Sequence, residues 1–307
     1  MSMADHIPEV TSPVSEFKSP PAYCGRFAPS PTGPLHLGSL VAAFGSFLRA
    51  RSLGGRWWVR IEDIDTPRVV AGAAQAQLDA LVCLGLEWDG ELMWQRQRLD
   101  AYRAALEQLQ AAGQVFACRC SRSELAGQAH RQCIGTRTHG PAAMRLRVPD
   151  RAITFVDGVR GPQTWNLAEH GDVVLWRSDG LVAYQLAVVV DDAEQGISEV
   201  VRGADLIDSS ARQIYLQETL GLPHPHYAHL PLVLDGSGHK LGKSQQALAL
   251  DLSRPLDLLR SAWILLGQPP HVLAECGSLQ ALLDTAIATF ALERVPKTDW
   301  PAAELPR

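Results

Sequence analysis

No run of apolar residues in this 307-residue chain approaches the roughly 20 that a membrane-spanning helix needs. Its best stretches, Leu186 to Val190 and Ala262 to Leu266, have the size of a buried strand and a core helix. A soluble protein is expected. The first 22 residues contain no apolar core for a secretion signal, and their scattered Ser, Pro, Glu and Asp read as the disordered tail of a cytoplasmic protein. Excess positive charge is missing too: 28 Lys plus Arg face 33 Asp plus Glu, a net charge of −5. A nucleic-acid partner therefore needs a local basic patch rather than bulk charge. There is no internal repeat, and no low-complexity tract beyond the tail. The cysteines do not form the pattern of a disulfide framework. Of six, Cys118, Cys120 and Cys133 cluster, while Cys24, Cys83 and Cys276 stand alone. Without a secretion signal, that asymmetry favours a metal site.

With 46% hydrophobic and 20% charged residues the chain is long enough for a real core, in one large or two ordinary domains. Gly25 to Ala28 reads as a strand, followed by the loop Pro29 to Pro34. Leu37, Leu40, Val41, Phe44, Phe47 and Leu48 then recur at helical spacing up to Gly54-Gly55. Trp57 to Ile61 is a second strand, closed by Glu62-Asp63-Ile64-Asp65, and the whole is one βαβ unit. Helical patterns follow at about 71–84 and 98–112, and Val115-Phe116-Ala117 runs into the cysteine cluster. From Cys118 to Arg151 helical periodicity disappears. Arg119, Arg122, Arg131, Arg137, Arg145, Arg147 and Arg151 there face only Glu124 and Asp150, which makes this the best candidate for an RNA-facing patch. Val173 to Trp176, Ala183 to Val190, Glu199 to Val201 and Leu230 to Leu234 read as strands, and Ser209 to Leu220 as a capped helix ending at Gly221. Two more helical patterns, about 256–266 and 279–292, come after a Lys-rich loop. The expected fold is α/β, a Rossmann-like doubly wound parallel sheet with a small inserted subdomain and a short helical C-terminal part. The expected divisions are a disordered tail (1–22), the first half of the sheet domain (23–117), the insert (118–165), the second half (166–235), and a Lys-loop with a helical tail (236–307).

Two segments carry chemistry. Pro31-Thr32-Gly33-Pro34-Leu35-His36-Leu37-Gly38-Ser39 places a Gly/Pro loop and a His at a helix N-terminus after a strand. Free N–H groups and the positive helix end stabilise polyphosphate there, although a Pro-rich turn before a helix is also a common ordinary loop. It is not a Walker loop, because no Gly-Lys-Ser/Thr follows. Some 200 residues on, His239-Lys240-Leu241-Gly242-Lys243-Ser244 puts two Lys in one Gly-containing loop, able to neutralise charge in a nucleotidyl transfer. By itself such a loop is usually a solvated surface.

Gly25 to Ser39, Arg60-Ile61-Glu62-Asp63-Ile64-Asp65, Val201-Arg202-Gly203-Ala204-Asp205-Leu206 and Lys240-Leu241-Gly242-Lys243-Ser244 together resemble the catalytic domain of class I glutamyl-tRNA synthetases, over roughly Tyr23 to Gln268. The roughly 60 residues after Ser244 are too few for that family's large anticodon-binding domain. The chain is most similar to the family's truncated paralogues. The resemblance implies an ATP- and Mg²⁺-dependent ligase that activates L-glutamate as glutamyl-adenylate without tRNA, then transfers it to the queuosine base at the wobble position of tRNA(Asp). It implies that Arg26, Phe27, Ala28, Pro29, Ser30, Glu62, Tyr184 and Arg202 hold glutamate, with Glu62 on its ammonium. It also implies that His36, Gly38, Lys240 and Lys243 hold ATP, with His36 and the two Lys catalytic. Two Arg suit a dicarboxylate, while a structural salt bridge is the plain alternative for Arg202 and Glu62.

Three positions depart from the family pattern: Ser39 stands where a second His is usual, Gly242 where a Ser is, and Ala129 where a Tyr joins the three Cys. Cys118, Cys120 and Cys133 suit one structural Zn²⁺ per chain, with His130 as the fourth ligand and His139 in reserve; three reduced thiols are the alternative. A monomer is expected, with no membrane partner. Competing readings are a minimal glutamyl-tRNA synthetase charging a tRNA 3′ end, a silent tRNA-binding paralogue, and a small-molecule nucleotidylyltransferase.

Overall fold

The computed structural model describes residues 23–125, 128–135, 138–234 and 249–301. The expected tail and the loop carrying Lys240, Gly242 and Lys243 lie outside them. The chain begins with β1 (Cys24–Phe27), α1 (Leu37–Ser52), β2 (Arg56–Ile61), α2 (Ala73–Cys83) and β3 (Met93–Trp94). Next come α3 (Leu99–Ala111), β4 (Val115–Cys118), α4 (Arg122–Leu125), β5 (Ala143–Leu146), β6 (Ala152–Asp157), β7 (Gly161–Asn166), α5 (Leu167–His170) and β8 (Val173–Trp176). The remaining elements are α6 (Tyr184–Glu194), β9 (Glu199–Gly203), α7 (Ile207–Leu220), β10 (His226–Leu230), α8 (Pro255–Leu265), α9 (His271–Ala274) and α10 (Leu279–Thr289). Among the described residues no helix is long and apolar enough to cross a membrane.

The parallel strands run in the order β3-β2-β1, and β9 lies parallel to β10. The two groups meet where the Ser198 N–H donates to the Cys24 carbonyl (2.9 Å) and the Cys24 N–H to Ser198 Oγ (2.8 Å). Strand alternation then sorts the core. Phe27, Val201 and Ala228 face a cluster with Phe44 and Leu48 of α1, Leu81 of α2, Trp263 of α8 and Leu282 of α10. Cys24, Val200 and Tyr227 face the opposite cluster, with Tyr102 of α3, Leu186 and Val189 of α6, and Ala211 and Leu216 of α7. Helices on both faces make the sheet doubly wound, as expected from the sequence. Helices α8 and α10 thus complete the core over α1. Gly45 of α1 packs tightly against β10 and the residue after α8: a Cβ there would sit 2.7 Å from Leu230 Cδ1 and 3.0 Å from Leu266 Cδ2.

Three element assignments differ from the sequence reading. Ala183 to Val190 is not a strand but most of α6, whose residues Leu186 to Val189, Asp191 and Asp192 are all buried. A helix covered on most sides loses its amphipathic period and reads as a buried strand. The strand expected at Leu230 to Leu234 lies earlier, in β10, where His226 and His229 disguise it; Val233 makes only an isolated bridge to Trp300. Helix α7 starts at Ile207 rather than Ser209 and has no side-chain cap, although Gly221 closes it at φ 69°. The strands do not divide at residue 165. The hairpin β6–β7 joins the main sheet, Asp157 pairing in register with Tyr227, while β8 pairs antiparallel with β5 and β5 with β4.

Beneath the second cluster sits a buried ionic group. Arg60 of β2 is fully buried and donates from its NH1 nitrogen to Asp192 Oδ1 (2.8 Å) and Gln195 Oε1 (2.7 Å), and from NH2 to Glu62 Oε1 (3.2 Å). Its Nε lies 3.8 Å from Asp191 Oδ2. Asp191 also accepts from Tyr102 Oη (2.7 Å), Gln95 Nε2 (2.8 Å) and Arg98 Nε (2.6 Å). Removing one partner of such a group leaves buried charge uncompensated. Arg60→Met is expected to destabilise the protein by about 3–5 kcal/mol in urea unfolding; a loss below about 1 kcal/mol would mean the group contributes little.

Candidate active site

A cavity of about 620 Å³ opens at the carboxyl ends of β1, β2 and β9, where strand order reverses between the two halves of the sheet. Ligands bind at this position in doubly wound folds. Arg26, Phe27, Ala28, Pro29, Ser30, His36, Gly38, Glu62, Tyr184 and Arg202 all line it. The structure therefore brings together ten of the twelve residues expected for glutamate and ATP; Lys240 and Lys243 lie outside the described residues.

His36 is the N-cap of α1, its Nδ1 accepting from the Ser39 N–H at 3.2 Å. In the neutral ring this puts the proton on Nε2. Ser39, which stands where the family pattern has a second His, thus contributes its main chain to orienting His36. The loop before the helix is held by Gln77 and Val70, which the sequence did not single out, and by the main chain of Glu62. Gln77 of α2 donates from Nε2 to the carbonyls of Ser30 (3.1 Å) and Gly33 (2.7 Å). The backbone N–H groups of Glu62 and Val70 donate to Pro29 (3.0 Å) and Pro31 (2.9 Å).

The floor is ionic. Arg26 donates from Nε to Asp192 Oδ1 (3.3 Å) and from NH1 to the Val201 carbonyl (3.4 Å). Burial would raise Asp192, but the guanidinium groups of Arg26 and Arg60 hold its carboxyl below the usual range. Burial raises Glu62 in spite of the same two Arg. Arg202 donates from NH1 to Tyr184 Oη (3.4 Å), and burial keeps that hydroxyl neutral. Two guanidinium groups and a buried carboxylate in one concave site are complementary to a molecule with two carboxylates and an ammonium. Asp192 and Arg60 were missed by sequence reasoning, because β2 and α6 meet only in the folded chain.

A second group lies in the inserted segment. The ligand atoms of Cys118, Cys120, His130 and Cys133 all lie within 4.8 Å of one another. His130 Nε2 is 3.2 Å from Cys118 Sγ, and its Nδ1 is 2.9 Å from Asp172 Oδ2. A carboxylate behind the far nitrogen of a His is the arrangement that orients a metal-bound imidazole. Burial would raise Cys120, but the Gly135 N–H and Cys118 bring its thiol down to about 7. This donor set fits one tetrahedral soft metal ion. His139, the reserve ligand, is exposed and outside the group. Of the basic residues expected as a patch, Arg119, Arg131 and Arg145 donate to the carbonyls of Gly140 (2.9 Å), Val148 (3.0 Å) and Asp172 (3.0 Å), and Arg151 pairs with Glu218 of α7. Arg131, Arg147 and Arg151 are exposed, and Arg137 lies outside the described residues.

A family model described as tRNA synthetases class I (E and Q), catalytic domain, matches residues 24–280. The chain belongs to this family of class I synthetases. Within it, the chain is 52% identical over 281 residues to a protein of Xanthomonas oryzae pv. oryzae, covering 90% of this chain and 94% of the relative. It is 50% identical over 282 residues to one of Pseudomonas aeruginosa PAO1, covering 90% and 96%. Both relatives are named Glutamyl-Q tRNA(Asp) synthetase. Among solved structures, a glutamate tRNA ligase from Elizabethkingia meningosepticum in complex with its amino acid superposes with a TM-score of 0.77 at 27% identity. That match covers 91% of this chain and 66% of the ligase.

Proposed function

We propose that this chain activates L-glutamate with ATP and transfers it to the queuosine base at the wobble position of tRNA(Asp). The observation that carries this reading is the cavity in which Arg26, Arg202 and Glu62 converge beside the His36-capped end of α1. The names of the relatives, at half the residues identical and nearly full coverage, support the choice of acceptor.

In the first step a glutamate carboxylate oxygen bonds to the α-phosphorus of ATP and the bond to the β-phosphate bridge breaks, releasing pyrophosphate. Mg²⁺ accompanies ATP and supplies charge neutralisation. Arg202 and Arg26 hold carboxylate, Glu62 faces the ammonium, and Ser30, Tyr184 and the segment Phe27-Ala28-Pro29 shape the subsite. His36 donates from Nε2 to phosphate, Gly38 admits it to the N-terminus of α1, and Lys240 and Lys243 neutralise the leaving group. No protein nucleophile is required; positioning and charge neutralisation lower the barrier. In the second step a hydroxyl oxygen of queuosine bonds to the acyl carbon, AMP leaves with the electron pair, and the hydroxyl proton is released. The Cys118, Cys120, His130 and Cys133 group holds one structural Zn²⁺ and gives shape to a segment with little apolar core of its own. The partners are thus ATP, L-glutamate and queuosine-containing tRNA(Asp), met by a monomer in the cytoplasm.

The decisive experiment compares glutamate transfer to tRNA(Asp) with and without queuosine, followed by nuclease digestion. Label in the anticodon fragment of the queuosine-containing tRNA alone supports the reading. Label in the 3′-terminal fragment would replace it with a minimal glutamyl-tRNA synthetase. For the site, Arg202→Ala is expected to raise the glutamate KM at least about tenfold while the ATP KM changes little, read by pyrophosphate exchange. An equal rise in both would make Arg202 structural. For the metal, the purified protein is expected to carry about one equivalent of zinc. Cys120→Ser is expected to lose it, keeping adenylate formation but weakening transfer to tRNA; metal-free protein with normal transfer would refute this role.

A further inference from the structure

Arg202 faces the cavity, yet its bonds to His229 and Ser210 go to residues that do not line it. Its Nε donates to His229 Nε2 (3.1 Å), and its NH2 nitrogen to Ser210 Oγ (2.9 Å) and the Leu206 carbonyl (3.1 Å). The guanidinium carbon lies 5.4 Å from the centroid of the Tyr227 ring. His229 and Asp157 are buried and do not line the cavity, so neither contacts a molecule bound there.

The chemistry of the three groups fixes their protons. A guanidinium only donates, so His229 Nε2 must accept, and the ring proton sits on Nδ1. That nitrogen donates to Asp157 Oδ2 at 2.6 Å. The other carboxylate oxygen accepts from the backbone N–H groups of Val159 (3.0 Å), Arg160 (2.8 Å) and His229 itself (3.1 Å). Asp157 therefore cannot rotate without losing three bonds. Burial would raise its carboxyl, but these bonds hold it below the usual range, while burial keeps His229 neutral. The chain of contacts crosses three neighbouring strands: Asp157 ends β6, His229 lies in β10, and His229 is in register with Arg202 of β9. A purely apolar neighbour would have packed Arg202 as well, without dictating which of its nitrogens points into the cavity.

We propose that Asp157, by fixing the tautomer of His229, and His229, by accepting from Arg202 Nε, are positioning residues that set the direction of the Arg202 guanidinium, and through it selectivity for a substrate carboxylate. The proposal deepens the reading of Arg202 as a glutamate contact and rests on that reading. Neither residue takes part in bond making; together they hold the fork at the angle a carboxylate meets.

Asp157→Asn tests this directly. The amide keeps its oxygen on the three backbone N–H groups and turns its own N–H toward Nδ1. The ring proton is then forced onto Nε2, donor against donor at Arg202. In pyrophosphate exchange the glutamate KM is expected to rise about tenfold or more while the ATP KM stays within about twofold. His229→Gln offers an amide oxygen to Arg202 and an amide N–H to Asp157, so it is expected to stay near wild type, whereas His229→Leu is expected to behave like Asp157→Asn. Unchanged glutamate KM in Asp157→Asn, or both KM values rising together, would overturn the proposal. Should Asp157→Asn fail to fold, equal glutamate KM values in His229→Gln and His229→Leu would overturn it, and a rise in His229→Leu alone would support it. The tautomer is read without any substrate by long-range ¹H–¹⁵N spectra of histidine-labelled protein: Nδ1–H in the wild type supports the arrangement, and Nε2–H overturns it. A wild type that forms no glutamyl-adenylate would instead sink the functional reading, and the spectra would still decide the tautomer.

Discussion

The group formed by Arg60 and Arg26 with Asp191, Asp192 and Glu62 is the constraint on which the rest of the structure depends. It joins β1 and β2, from the first half of the chain, to α6, from the second, under the floor of the cavity. Apolar burial on both faces of the sheet supplies most of the stability, but it does not specify how the halves sit to within a hydrogen bond. Buried charges do, because a misplaced carboxylate there would be left unpaired at a cost of several kcal/mol. Gln95, Arg98 and Tyr102 extend the same group outward to α3.

Each wall of the cavity is then fixed relative to that floor. Phe27 to Ser30 follows from β1, Glu62 from β2, Tyr184 from the first turn of α6 and Arg202 from β9. The loop before α1 is tied to Gln77 and Val70, so its glycine and prolines are not free to collapse into the cavity. On the far side, Asp157 and His229 carry order inward from the hairpin β6–β7. The walls of the cavity are therefore supported from three directions, as preorganised charge requires.

The inserted segment follows a different logic. It has its own small antiparallel sheet of β4, β5 and β8, and the cluster of Cys118, Cys120, His130 and Cys133 sits at the end of that sheet. Asp172, one residue before β8, accepts from His130 and from the Val148 N–H (3.0 Å), so the cluster and the sheet share a residue. Arg119, Arg131 and Arg145, which look like part of an RNA-facing patch in the sequence, donate to the carbonyls of Gly140, Val148 and Asp172 and so help to hold this arrangement.

Local signals were sufficient for much of this. The helical spacing of Leu37 to Leu48 marks α1, the Trp57 to Ile61 run marks β2, and four ordered motifs mark the family and nine lining residues, because each is encoded by neighbours in the chain, while Tyr184 lies outside the motifs and follows from the resemblance alone. Even the fourth member of the cysteine group, His130, is close enough in sequence to be named. What local pattern could not carry is whatever depends on burial from several sides at once. Helix α6 reads as a strand because its polar face, Asp191 and Asp192, is buried against arginines more than 90 residues away. Strand β10 is disguised by His229, a polar residue at home in a core only because Asp157 and Arg202 converge on it. Sequence alone thus determined the family, the opening βαβ unit of the sheet, and ten of the residues that line the cavity. Only the tertiary structure decided which buried charges pair, since that pairing is set by distances across the sheet and not along the chain.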